Sequence, residues 1–257
     1  MKKLGFFLMI TIVAAALIGC GGTDTASNGY APDQTVEAYA YVHGGYVGQA
    51  VVTTNDEGAI DVTLDEAFLP HTLAVVDMES DEWDEDNTVY YVSRGNEVRV
   101  AKYIAYDGTN YTGVTVGGAL AYVESGDDGE PAGASILEKS IIRNEDTMKA
   151  YFEDIDDGAF QIFTEFGGDP QTVDTTRYGS LYKRGSEYWN SGDLGWSGNM
   201  EAIQEAAEEN GTGYGLDEMV RRGDNRWALT DAVTSATASD FKDYFGLIQQ
   251  AVGRLKM

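Results

Sequence analysis

One cysteine in 257 residues rules out an intramolecular disulfide, whatever the compartment. The two histidines, His43 and His71, offer no metal-ligand spacing. Basic residues are scarce: 17 Lys and Arg stand against 43 Asp and Glu, a formal net charge of −26. Such a surface repels phosphates, which excludes nucleic acid as a partner, and it repels anionic headgroups as well. No Gly-x-Ser-x-Gly elbow is present, and Gly211-Thr-Gly-Tyr-Gly215 follows a helical stretch rather than a strand. Hydrolase and dinucleotide-loop readings therefore have no support. The stretch Asp77 to Asp86 puts seven carboxylates in ten residues but lacks the calcium-loop pattern with its central Gly and final Glu. It reads as a solvated acidic loop.

Long apolar runs are also lacking, with one exception. Lys2 and Lys3 precede an uncharged run from Leu4 to Ile18, followed by Gly19 and Cys20. The run is shorter than the ~20 residues a spanning helix needs. A basic start, a short apolar segment and a small-residue cleavage site make a secretory signal. Leu17-Ile18-Gly19-Cys20 resembles a bacterial lipobox, which implies cleavage before Cys20 and lipidation of its thiol. On this reading residues 1–19 are the signal peptide, 20–33 a small, polar, flexible tether, and 34–257 the folded part. Acyl chains, at ~0.8 kcal/mol per buried CH2, would anchor it extracytoplasmically to the cell membrane or outer membrane.

From Thr35 to Asp65 the chain reads as strands. Ala38 to Val42, Tyr46 to Thr54 and Ala59 to Leu64 are rich in β-branched and aromatic residues, and Asn55-Asp-Glu-Gly58 separates the last two. Further strand signals run over Thr88 to Val92, Val98 to Tyr106 and Tyr111 to Tyr122. Helical spacing appears from Asn144 to Asp154, and from Asn199, read as a cap, to Asn210 before a Gly stop. Between them Gly158 to Gly198 is rich in Gly and aromatics (Phe160, Phe163, Phe166, Tyr178, Tyr182, Tyr188, Trp189 and Trp196) with poor periodicity. A last amphipathic helix is expected to start near Ser239, read as its N-cap, with Phe241, Tyr244, Phe245, Ile248, Ala251 and Val252 on one face. The expected class is α+β: an antiparallel twisted sheet with packed helices and a C-terminal amphipathic helix.

Just ahead of that helix lies Asp231-Ala-Val-Thr-Ser-Ala-Thr237. It resembles the flavinylation motif of the bacterial FMN-binding domain family: Asp, two variable residues, Ser or Thr, usually Gly, then Ala-Thr. Asp231, Thr234, Ala236 and Thr237 fall on the pattern; Ser235 stands where Gly is usual, which matters if that position needs φ > 0. Tyr46-Val47-Gly48 and the following Gly turn loosely resemble the family's opening strands.

The resemblance implies that a flavin transferase joins the phosphate of FMN to the Thr237 hydroxyl. The chain would then be an electron-transfer flavoprotein with one covalent FMN, working with a redox partner protein. Attachment chemistry would belong to the transferase, so no catalytic residue is expected here. Asp231, Thr234, Ser235 and Ala236 would form the recognised motif, with Ala236 small enough not to obstruct the transferase. A phosphate at Thr237 would sit near free N–H groups at a helix N-terminus. A binding lipoprotein that captures a ligand or protein through the aromatic middle is the alternative.

Overall fold

Alternation of apolar and polar residues carries the first three strands: β1 (Thr35–Val42), β2 (Tyr46–Thr54) and β3 (Ile60–Phe68). They form an antiparallel meander in the order β1-β2-β3, paired from Thr35↔Thr53 to Val42↔Tyr46 and from Tyr46↔Phe68 to Thr54↔Ile60. Asn55 closes the second turn, its Oδ1 accepting the N–H groups of Glu57 and Ala59 at 2.9 Å. The computed structural model describes residues 29–171, 180–186, 188–189 and 193–257. The signal segment, Cys20 and Tyr178 lie outside the described residues.

A short helix α1 (Pro70–Leu73) leads to a hairpin of β4 (Thr88–Ser93) and β5 (Asn96–Ala101). A second sheet has the order β10-β6-β7-β8-β9, from β6 (Tyr103–Tyr106), β7 (Thr109–Val116), β8 (Ala119–Ser125), β9 (Pro131–Ile136) and β10 (Phe160–Phe163). Between β9 and β10 come α2 (Leu137–Ile141) and α3 (Glu145–Asp154). Helix α4 (Gly195–Asn210), a hairpin of β11 (Val220–Arg221) and β12 (Trp227–Ala228), and α5 (Phe241–Val252) complete the chain. The fold is α+β, with antiparallel, twisted, unclosed sheets and a C-terminal helix.

Two runs divide where the sequence pattern reads through. Val98 to Tyr106 breaks at Lys102 into β5 and β6, which join different sheets. Tyr111 to Tyr122 folds back at Gly117 and Gly118, whose φ of 60° and 83° only glycine adopts readily.

The meander is covered on both faces. Ala38, Val42, Ala50, Val52, Val62 and Leu64 pack on α4 and α5 in one core. Tyr39, Val47, Ala67 and Phe68 pack in a second core with residues of α2, α3 and the second sheet. Helix α5 crosses β2 at Gly48, where an added Cβ would lie 3.0 Å from Val42 Cγ1 and 3.2 Å from Leu247 Cδ2. Glycine there sets the close approach of helix to sheet.

Candidate functional site

Residues 229–240 form an irregular loop between β12 and α5, pinned at several points to the hairpin and to α4. Thr234 is buried; its Oγ1 donates to the Trp227 carbonyl at 3.1 Å and accepts from the Ala236 N–H at 3.2 Å. The Trp227 N–H donates to Ala236 O at 3.1 Å, and the Trp227 indole N–H to Ala238 O at 2.6 Å. Ala236 is wholly buried in the core against the meander. Its small size serves packing there. Asp231 is exposed and accepts from the Tyr214 hydroxyl at 2.8 Å. Ser235 is exposed and lies outside the left-handed region, so nothing in its backbone calls for glycine.

Thr237 is half-buried and held by a residue whose role the sequence did not reveal. Asn199 Oδ1 accepts three donors: the Thr237 N–H at 2.7 Å, the Thr237 hydroxyl at 3.2 Å and the Ala238 N–H at 2.8 Å. Its Nδ2 donates to Gly195 O at 2.7 Å, which fixes the amide orientation. Asn199 is no helix cap. Helix α4 begins a turn earlier, at Gly195 with Leu194 as N-cap, and Asn199 sits 2% exposed in its interior. A helix that opens Gly-Trp-Ser-Gly has weak local signals, and Trp196 anchors that turn in the core instead.

The start of α5 also differs from expectation. Its N-cap is Asp240, not Ser239, and no side chain caps it. Ser239 Oγ instead donates to Asp240 Oδ2 at 3.0 Å. The Asp243 N–H donates to the Asp240 carbonyl at 3.0 Å, and the Asp240 side chain accepts from no N–H of the first turn. One cation binds this loop, Arg221 Nη2 donating to the Thr237 carbonyl at 2.9 Å, and the Lys242 ammonium lies over the Trp227 ring, 5.7 Å from its centroid. Asp240 and Asp243 oppose them on α5. A hydroxyl beside an Arg and a helix start without a side-chain cap fits a phosphodiester carrying one negative charge, with Asp240 and Asp243 the groups that oppose it.

A second cluster adjoins this loop, and no motif announced it. Glu66 sits with no exposure at the end of β3. Its Oε1 lies 2.9 Å from His43 Nε2 and accepts from the Tyr244 hydroxyl at 2.9 Å. Its Oε2 accepts from the Trp196 indole N–H at 3.0 Å and pairs with the ammonium of Lys183. That ammonium is 3.3 Å from the centroid of the Tyr46 ring and 4.5 Å from that of Tyr188. Burial alone would raise the Glu66 carboxyl, but the His43 hydrogen bond and the Lys183 charge outweigh it and hold it below its ordinary value. For Lys183 burial wins over the Glu66 charge and brings the amine down to about 8. A carboxylate continuing the inward series Ile60, Val62, Leu64, Glu66 is the signal that could have found it.

The two features share elements. Trp196 and Asn199, one turn apart on α4, reach Glu66 and Thr237 respectively. His43 Nδ1 lies 4.0 Å from Asp240 Oδ2 at the head of α5. The aromatic middle mostly packs: Phe160, Phe163 and Trp196 are buried, and Tyr182 and Tyr188 lie against the second core. His71 binds Glu138 through Nδ1 at 2.8 Å, as a structural histidine would. Among the described residues no group of three or more His, Asp and Glu is placed to hold a metal ion. Nor is any helix among them long and apolar enough to cross a membrane. No protein-family model matches the chain, and comparisons with curated proteins and with solved structures give no significant match.

Proposed function

We propose that the chain is an extracytoplasmic redox carrier, tethered through lipidated Cys20 and bearing one FMN in phosphoester linkage to Thr237 Oγ1. A flavin transferase would install the group, and separate donor and acceptor proteins would exchange electrons with it. The observation that carries this reading is the convergence at one loop. The motif residues Thr234 and Ala236 build a tied turn, Asn199 holds Thr237, Arg221 binds the Thr237 carbonyl, and the start of α5 follows with no side-chain cap. In a chain of net charge −26, two cations that balance Asp240 and Asp243 leave the helix start free of net negative charge. FMN bound there would supply one- and two-electron redox chemistry that no side chain of the loop provides.

The motif residues divide the work. Thr237 offers the hydroxyl; Thr234 and Ala236 fix the backbone that carries it; exposed Asp231 and Ser235 are available to the transferase. The test is a pair of variants expressed with the transferase. Thr237→Ser should keep covalent flavin, and Thr237→Ala should lose it. Covalent flavin on Thr237→Ala would end the reading.

A binding lipoprotein is the second reading. A surface groove of about 540 Å3 lined by His71, Tyr91, Val92, Leu120 and Glu138, and not by the aromatic middle, favours it. A colourless protein with a small molecule retained in that groove through purification would bring this reading forward.

A further inference from the structure

The hydroxyl of Thr237 is not left to rotate in solvent. It shares a single acceptor, Asn199 Oδ1, with the two consecutive N–H groups of Thr237 and Ala238. That acceptor is itself fixed, because Asn199 is 2% exposed and its Nδ2 is tied to Gly195 O within α4. Helix α4 is in turn anchored one turn earlier by Trp196 on buried Glu66. A short chain of hydrogen bonds therefore runs from a rigid helix to one particular hydroxyl.

We propose that Asn199 is the positioning residue that makes Thr237 an acceptor for flavin transfer, an inference that rests on the carrier reading. An Oγ–H aimed at Asn199 sends the proton inward and turns the oxygen lone pairs outward, toward an incoming phosphorus. The two N–H donors fix the backbone on either side of the Thr237 carbonyl, which Arg221 holds from the opposite side. In the transfer, the Thr237 oxygen forms a bond to the flavin-side phosphorus of a flavin dinucleotide. The phosphoanhydride bond breaks and the nucleoside monophosphate leaves with its electron pair. The hydroxyl proton passes to a base on the transferase or to water. Only the hydroxyl's own hydrogen bond to Asn199 is lost; the two backbone N–H groups keep their acceptor, so the loop stays in place in the product.

The geometry also explains selectivity within the segment. Thr234 is equally a threonine, but its hydroxyl is buried and engaged by Trp227 and Ala236. The Ser235 and Ser239 hydroxyls are exposed but neither is held by Asn199. Thr237 alone combines half-exposure with a fixed hydroxyl.

The test follows flavin attachment by intact mass over time, with purified full chain, transferase and flavin dinucleotide, for wild type, Asn199→Ala and Asn199→Asp. Amide exchange at Thr237 and Ala238 is measured on each protein before any flavin is added. Asn199→Ala should lower the rate at saturating chain by about a hundredfold, the usual cost of a small misplacement, with the KM changed by less than about threefold. Asn199→Asp presents an oxygen to the same donors and, protonated by burial on the oxygen that faces Gly195 O, keeps that bond as well, so it should restore most of the rate. Exchange at the two amides should quicken in Asn199→Ala and not in Asn199→Asp. An Asn199→Ala rate within about twofold of wild type, or an effect on KM alone, overturns the positioning role while leaving the carrier reading intact. If Asn199→Ala does not fold, a folded Asn199→Asp that is not modified overturns it equally. A wild-type chain left unmodified by a transferase active on another substrate overturns the carrier reading itself.

Discussion

The ammonium of Lys183 lies against the carboxylate of Glu66 with both side chains at 1% exposure or less. The pair ties the segment after residue 180 to the edge of β3, where the Lys183 N–H also donates to the Glu66 carbonyl at 2.9 Å. Removing one partner of a buried pair strands the other. Lys183→Met should therefore cost roughly 3–5 kcal/mol in chemical denaturation. The double variant Lys183→Met with Glu66→Leu should recover part of that loss, because it leaves no buried charge. A Lys183→Met cost under about 1 kcal/mol would mean the pair is solvated.

Stability should depend on alkaline pH through the same lysine. Its folded value near 8 lies below its ordinary 10.5, so the unfolded chain binds more protons between those limits. Stability therefore rises with pH across that window, by up to about 1.4 kcal/mol per pH unit. Near pH 10 the trend reverses. Burial raises the hydroxyls of Tyr122, Tyr151 and Tyr244, so they stay neutral in the fold while unfolded tyrosines ionise. Denaturation midpoints of wild type from pH 7 to 10 should climb, and those of Lys183→Met should lack that rise.

Ser235 needs no glycine conformation. Ser235→Gly should leave flavin attachment within about twofold of wild type and lower stability by roughly 0.5–1 kcal/mol through added freedom in the unfolded chain. A large gain in attachment would show that the transferase reads glycine itself.

Gly48 separates β2 from α5. Gly48→Val should destabilise by ~1–3 kcal/mol by forcing Leu247 of α5, and with it the helix, away from β2 and by crowding Val42 of β1. Because α5 begins beside Thr237, the same variant should slow flavin attachment. Thermal melting and the mass assay read the two effects separately.

The meander, α3 and α5 were legible because their signals are local. Alternation marks Ile60 to Leu64, Asn144 caps α3 through a reciprocal bond with Thr147, and the stripe from Phe241 to Val252 gives a buried face. The division of the later strands was not legible, since Lys102 is an ordinary residue and the Gly117-Gly118 turn sits inside a continuous β-like run. Within the site, Thr234, Ala236 and Thr237 were singled out by their order in the chain. Asn199, Arg221, Glu66 and Lys183 were missed because each acts across a long sequence separation. Asn199 read as a cap, since its bonding to Thr237 depends on how α4 docks beside the loop. Lys183 lay in a stretch without periodicity, and only pairing with β3 gives it a place.

The most direct measurement is the intact mass of the mature protein, made with and without a flavin transferase, followed by peptide mapping. The expected result is a gain equal to FMN minus water, present only with the transferase and located on the peptide that contains Thr237. An unchanged mass, with the transferase shown active on another substrate, would contradict the assignment of this chain as a covalent flavin carrier.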